Sequence, residues 1–329
     1  MSGTILVTGA GGFLGSHVVR QLAADGRRVR AFVRKSTNVA ALAGLPIEWA
    51  YGDALDPASV HAAMAGCESV IHCVVNTQAW LRDPTPMLRV NVDGLRIAID
   101  AALAHGVQRF VMTSTIGTIG LNPGGLSTEE DIFNWAASAG PYIRGRVEAE
   151  ALFFDAVRQR GLPGVAMCVA NTYGPDDFAP TPHGRLLAAA ASGKLGFTID
   201  AGLSCVGIED AATAMILAVE RGRIGERYIV ADRWLRYEEL CSIAADQAGQ
   251  SRRFRKLPFP LLYAAGFLAD GIARLRGRDS QLSVESVRLS HIMNDMSAAK
   301  ARTELGWRPQ PVERSIRAAV DCYRARGLA

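Results

Sequence analysis

Seven residues near the start of the chain, Gly9-Ala10-Gly11-Gly12-Phe13-Leu14-Gly15, follow directly on the apolar run Ile5-Leu6-Val7-Thr8. A glycine-rich turn between a buried strand and a helix brings backbone N–H groups close to a pyrophosphate, and the helix N-terminus favours its negative charge. The spacing is G-x-x-G-x-x-G, one residue longer in its first gap than the commonest form, because Ala10 stands where that form has glycine. The turn reads as a dinucleotide site built from Gly9, Gly12, Phe13, Leu14 and Gly15. Glycine turns of this kind also serve packing alone, so the rest of the chain has to support the reading.

Apolar residues at Phe13, Leu14, Val18, Val19 and Leu22 keep helical spacing, and Asp25-Gly26 supplies turn chemistry to close that helix. Strands are expected over residues 29–33, 47–51, 69–74 and 109–114, separated by helices over 57–64 and 87–105. Strands alternating with helices predict an α/β fold, a Rossmann-type doubly wound parallel sheet. Past residue 171 the alternation fades into proline-rich turns and amphipathic helices without a second glycine fingerprint. The expected division is a dinucleotide-binding part over residues 1–166, with 206–232 returning to its sheet, and a smaller, mainly helical substrate-binding lobe from 167–205 and 233–329.

The chain has 329 residues, 49% of them hydrophobic, enough for a large buried core. A formal net charge of +4 comes from scattered Lys and Arg with no long basic run, which argues against nucleic acid as a partner. The six cysteines form no C-x-x-C pair and sit mostly in apolar stretches, so free thiols in a reducing compartment are expected. The six histidines show no metal-ligand spacing, and no metal is expected. The glycine motif begins almost at Met1, leaving no room for a targeting peptide before it, and a cytoplasmic protein is expected. Residues 257–275 are strongly apolar but include two prolines, Asp270 and Arg274. They read as an amphipathic helix packed on the protein, with membrane-surface contact as the alternative and no integral span.

Further motifs follow in a fixed order: Thr113-Ser114-Thr115 after the fifth strand, Tyr142-Ile143-Arg144-Gly145-Arg146, and Asn171-Thr172-Tyr173-Gly174-Pro175. Together with Thr8-Gly9-x-x-Gly12-x-x-Gly15 and Asn91-Val92-Asp93-Gly94, they resemble the extended short-chain dehydrogenase/reductase family, the NAD-dependent epimerases and dehydratases, across essentially the whole chain. Residues 33–38, 80–84, 180–185 and 305–309 are most similar to its dihydroflavonol-reductase-like branch, which includes the hopanoid-associated sugar epimerases.

The resemblance implies Tyr142 as acid/base and Thr115 as the hydroxyl that orients a carbonyl, with Ser114 as runner-up. A phenol with a pKa of about 10 is a poor acid or base at neutral pH, so this family usually sets a lysine one helical turn later, on the same face. Arg146 stands there instead. Its guanidinium keeps the charge and can hold a ribose, but it does not relay a proton. The same motifs imply that Asp53 bonds the adenine amino group. They also imply that Cys73 and Val74 line the pyrophosphate and nicotinamide side, and that Ala54, Asn91, Thr113, Ala170, Asn171 and Thr172 complete the cofactor lining. The second strand ends Val33-Arg34-Lys35-Ser36-Thr37, with no acid for a ribose 2′-hydroxyl, so NADP is expected over NAD, with Arg34 on the 2′-phosphate.

The activity expected is hydride exchange with a carbonyl or secondary alcohol of a hydrophobic small molecule. Trp80-Leu81, residues 119–126, Trp135 and a helix through Phe259 and Phe267 are expected to line its pocket. Two readings stay open beside it: a nucleotide-sugar epimerase or dehydratase that retains its cofactor, with Arg185 and Arg223 on a pyrophosphate, and a silent dinucleotide-binding protein. A homodimer is also left open.

Overall fold

The computed structural model describes residues 3–178, 180–250, 252–276, 279–280 and 282–329. Its strands are β1 (Thr4–Thr8), β2 (Val29–Val33), β3 (Glu48–Tyr51), β4 (Cys67–His72), β5 (Arg109–Thr115), β6 (Gly164–Val169), β7 (Asn171–Tyr173), β8 (Phe197–Thr198), β9 (Gly202–Gly207), β10 (Arg227–Val230), β11 (Arg233–Arg236) and β12 (Arg255–Lys256). Its helices are α1 (Phe13–Ala24), α2 (Pro57–Met64), α3 (Thr85–Leu88), α4 (Gly94–Ala104), α5 (Pro141–Arg160), α6 (Pro182–Ala191), α7 (Ile208–Arg221), α8 (Tyr237–Gln247), α9 (Phe259–Leu275), α10 (Val284–Ile292) and α11 (Val312–Ala325).

Seven strands form one sheet in the order β10-β6-β5-β4-β1-β2-β3, every pair parallel. The order reverses between β1 and β4, and ligands of open α/β sheets sit in the crevice at the strand C-termini beside such a switch point. Side chains alternate across each strand. Ile5 and Val7 face a core shared with α1 and α7, while Leu6 and Phe32 face a second core shared with α2, α4 and α5. Both faces are covered, which is why these strands are almost uniformly apolar.

Residues 206–219 were expected to return to this sheet; they instead contribute the end of β9 and then α7, which packs on one sheet face. The strand that joins the edge is β10, against β6. The helix expected over 87–105 is interrupted: α3 runs into a π turn over Arg89–Asp93 before α4 begins. A third core joins α6, α8 and α11 to a small sheet of β11, β9 and β7. Helices α9 and α10 pack on each other, and α10 reaches the cluster beside Tyr142. Leu289 and Ile292 of α10, with Met293 just beyond it, pack beside Trp135, Ile143 and Tyr142.

Candidate active site

The glycine turn is shaped for close approach. Gly9 has φ of 66°, and a Cβ there would stand 2.8 Å from the Cys73 carbonyl group. At Gly15 a Cβ would collide with the Gly9 carbonyl, so only glycine lets α1 enter this close to β1. Gly12 donates to the Gly9 carbonyl at 2.9 Å and caps α1 without a side chain. The first amides of α1, at Phe13 and Leu14, therefore have no acceptor within the helix and point toward an incoming anion.

Three neighbouring segments finish this end of the crevice. The turn Arg34–Thr37, closed by the Thr37 amide on the Arg34 carbonyl at 2.9 Å, presses Thr37 against Gly11. Arg34 is exposed there, with no ion pair or side-chain hydrogen bond among the described residues. Asp53 lies beyond β3, where its Oδ1 accepts the Leu55 amide at 2.8 Å, and Ala54 adjoins the start of α4. The Cys73 amide donates to Thr8 at 3.1 Å, and burial pushes the Cys73 thiol up to about 12, so it stays protonated. Asn91, inside the π turn, accepts the Asn76 amide at 2.7 Å and donates to the Asn76 carbonyl at 2.9 Å. Its amide is committed to holding the loop that begins at Cys73 and Val74.

At the C-terminal end of β5, Thr113 and Thr115 face the crevice side by side and Ser114 faces away, as strand alternation requires. Thr115 Oγ1 accepts the Gly117 amide at 3.2 Å and keeps its hydroxyl proton free to donate. Ser114, the expected runner-up, is 3% exposed and donates its hydroxyl to Glu150. It is a positioning residue rather than a partner for substrate. Glu150 also accepts from Thr118 at 2.8 Å and pairs with Arg227 at 3.0 Å. This network of Ser114, Thr118, Glu150 and Arg227 was missed from sequence. Its one local signal is that Tyr142, Arg146 and Glu150 repeat at intervals of four along α5.

Arg146 is the most unusual group in the crevice. It is 2% exposed, donates to the Thr113 carbonyl, and leaves Nε buried without a partner. Thr113 Oγ1 is likewise buried, beside the Cys73 thiol. Burial pulls Arg146 below its ordinary value, opposed by Tyr142, Glu150 and Cys168. Burial pushes the Tyr142 phenol above its ordinary value, opposed by Arg146. The orphaned Arg146 Nε at the end of a backbone cradle fits a bound nicotinamide dinucleotide, whose ribose hydroxyls would satisfy it. Ala170 and Thr172 line the adjoining strand end, whereas the Asn171 amide donates to the Ser204 carbonyl at 2.9 Å.

Several pocket expectations change. Trp135 is buried, with its indole N–H on the Ile119 carbonyl at 3.1 Å, and packs behind Tyr142 instead of lining an open pocket. Phe267 is 72% exposed on the outer face of α9, and Leu126 is also exposed. Arg223 pairs with Glu304 at 3.0 Å just before β10, at the sheet end opposite the crevice. Arg185 is exposed and donates to Pro180 at 2.9 Å. No cluster of side chains among the described residues could hold a metal, and all six cysteines are free thiols.

Residues 5–231 match the NAD dependent epimerase/dehydratase family. The chain is 32% identical to sterol demethylase protein B of Methylococcus capsulatus over 99% of both chains. It is 27% identical to a putative dihydroflavonol 4-reductase of Synechocystis, over 99% of this chain and 96% of that one. The crystal structure of gox2253 superposes with a TM-score of 0.88 at 31% identity, covering 99% of each chain. A family match over well over half its length, on a sheet and glycine cradle of this geometry, makes the chain a member of the NAD-dependent epimerase/dehydratase family and an NAD(P)-dependent enzyme of the extended short-chain dehydrogenase/reductase type.

Proposed function

We propose that the protein is an NADP(H)-dependent oxidoreductase acting on a carbonyl or secondary alcohol of a hydrophobic small molecule. The observation that carries this reading is the surroundings of Tyr142. The phenol sits one helical turn from Arg146, and Tyr142 packs, with Leu121, Phe133, Leu289, Ile292 and Met293, around the buried cluster of Trp135, Ala139 and Ile143. Such walls gain about 25 cal/mol per Å² of apolar surface buried and leave a polyhydroxylated ligand poorly satisfied. The names of two relatives, a sterol demethylase component and a dihydroflavonol reductase, agree with a bulky alicyclic or aromatic substrate.

When bound, the dinucleotide supplies or accepts hydride. Tyr142 gives a proton to the carbonyl oxygen, or takes one from the alcohol, and Thr115 orients that oxygen through its hydroxyl. Arg146 holds the ribose and keeps positive charge beside the phenol. The amides at Phe13 and Leu14 receive the pyrophosphate, and Arg34 receives the 2′-phosphate. In this reading residues 1–166 and 206–232 hold the cofactor, and 167–205 with 233–329 close over the substrate.

The test is a panel of bulky alicyclic and aromatic ketones beside UDP- and GDP-sugars, the ketones followed by oxidation of NADPH and of NADH and the sugar nucleotides by product analysis, since epimerisation and dehydration return the cofactor unchanged. Turnover of the ketones with NADPH preferred is expected. Arg34→Ala should remove most of that preference, since a charge-assisted contact contributes about 1.5 to 3 kcal/mol. Conversion confined to the sugar nucleotides would replace the oxidoreductase reading with the epimerase or dehydratase one.

A further inference from the structure

Helix α9 covers one of its faces and leaves an apolar one bare. Toward α10 it is well packed: the Phe259 ring lies 4.4 Å from His291, the Tyr263 hydroxyl shares a 2.9 Å hydrogen bond with the same imidazole, and Asp270 accepts the Val284 amide at 3.1 Å. Away from α10, Leu261, Leu268, Ile272 and Leu275 recur at intervals of seven, four and three, with Phe267 beside them. Phe267, Leu268 and Leu275 are 72%, 65% and 90% exposed. An amphipathic helix normally turns such a stripe inward, so a stripe facing out implies something that covers it.

Charge identifies what covers it. Between residues 252 and 276 the basic side chains are Arg252, Arg253, Arg255, Lys256, Arg274 and Arg276, all exposed; Lys256 is paired with Asp200 at 2.9 Å, and Arg274 shares its cavity with Asp83 and Asp279, which leaves cations in excess at both ends. The one acid in that stretch, Asp270, is turned toward α10. An apolar stripe bracketed at both ends by cations complements an anionic lipid surface. A second copy of the chain fits poorly, because a two-fold contact would set these cations against themselves. No described helix is long and apolar enough to cross a membrane, so α9 would lie flat.

We propose that α9 docks the protein on an anionic membrane surface, its leucine, isoleucine and phenylalanine side chains entering the acyl region. The location gives the contact a use. At the C-terminal end of α9, Arg274 lines a mostly polar cavity of about 750 Å³ together with Gln78, Leu81, Arg82, Asp83, Pro86 and Asp279. Leu81 and Pro86 continue the loop that Asn91 holds beside the cofactor cradle. The other side of the hairpin, on α10, packs on the same cluster of Trp135, Ala139 and Ile143 as Tyr142 does. Resting on the hydrophobic-substrate reading, this contact would bring the protein to the bilayer in which a carbonyl compound of that kind dissolves.

The test is flotation of the full chain with vesicles of phosphatidylcholine alone and of phosphatidylcholine mixed with phosphatidylglycerol. Partitioning onto the anionic vesicles should exceed that onto neutral ones by about 100-fold at low salt and weaken as salt is added. Leu268→Glu with Ile272→Glu should lower it by about tenfold or more. The same variant should keep the parent's Tm and its NADPH oxidation with a water-soluble ketone. Equal partitioning on both vesicles, or undiminished flotation of the variant, overturns docking. So does a parent that ignores vesicles but loses a dimer on substitution, which would assign the stripe to a second copy. Flotation without turnover of any hydrophobic ketone would keep the docking surface and reject the substrate reading; turnover without flotation would do the reverse.

Discussion

An arginine at position 146 changes what the tyrosine one turn before it can do. A lysine there can approach the phenol as a compact charge, whereas the guanidinium is planar, spends one N–H on the Thr113 carbonyl and holds its proton throughout. Burial outweighs its attraction, and the Tyr142 phenol is held above its ordinary value. At neutral pH the group is a protonated acid, which suits reduction and handicaps oxidation. Reduction should therefore be flat with pH from about 6 to 9, and oxidation should climb toward alkaline pH. Tyr142→Phe should cost about 10²- to 10⁴-fold in turnover with NADPH affinity almost unchanged. Arg146→Lys should keep or raise the reduction rate in steady-state assays; complete loss of activity would show that the guanidinium does something a lysine cannot. Tyr142, Thr115 and Arg146 could be proposed from sequence because a short ordered motif carries them. Glu150 shares the spacing of four with Tyr142 and Arg146 along α5, but what gives it a role is a pairing with Arg227, far along the chain and invisible to any local pattern.

Among the elements, the interrupted helix that runs from α3 through the π turn into α4 has the plainest consequence. Its sequence reads as one continuous helix, since Val92, Leu95 and Ile99 keep apolar spacing, and nothing local announces the extra residue. The π turn carries Asn91, and with it the two hydrogen bonds that clamp Asn76. Such turns recur at functional sites because they re-aim a single side chain. Asn91→Ala would leave the Asn76 amide and carbonyl unpaired in a half-buried loop, at a cost of about 1 to 3 kcal/mol. NADPH affinity, read by fluorescence titration, should fall by roughly tenfold while substrate discrimination is kept; unchanged affinity would mean that the loop holds its shape unaided. The glycine turn, by contrast, was fully legible. Gly9 and Gly15 stand where any Cβ meets backbone, and a steric requirement of that kind is written in the residue itself.

Across the whole molecule, the cofactor-facing helix is latched to the C-terminal region by buried polar groups that the sequence did not mark. His17 on α1 accepts from Arg20 at 2.9 Å through Nδ1 and donates through Nε2 to the Pro175 carbonyl at 3.2 Å. Arg20 pairs with Asp176 at 2.6 Å, and the neighbouring Asp177 accepts the Tyr323 hydroxyl of α11 at 2.9 Å. Apart from the His17–Arg20 pair within α1, these contacts join residues more than a hundred positions apart, which is why spacing and periodicity were silent about them. Burial, with Arg20 beside it, lowers His17 to about 4; burial, with Arg146 nearby, lowers His72 to about 3. Both are neutral in the folded protein, while the unfolded chain takes up their protons near pH 6.5. Their contribution is complete above pH 6.5 and declines as the pH falls from there toward 4, because the unfolded state then binds more protons. Glu129 and Asp177, raised by burial, oppose this trend. The histidine share is therefore isolated by comparing the parent with His17→Gln, which can still donate to Pro175. Urea midpoints measured between pH 7 and 4.5 should fall less steeply in the variant than in the parent, and parallel slopes would mean that the latch does not depend on a neutral imidazole.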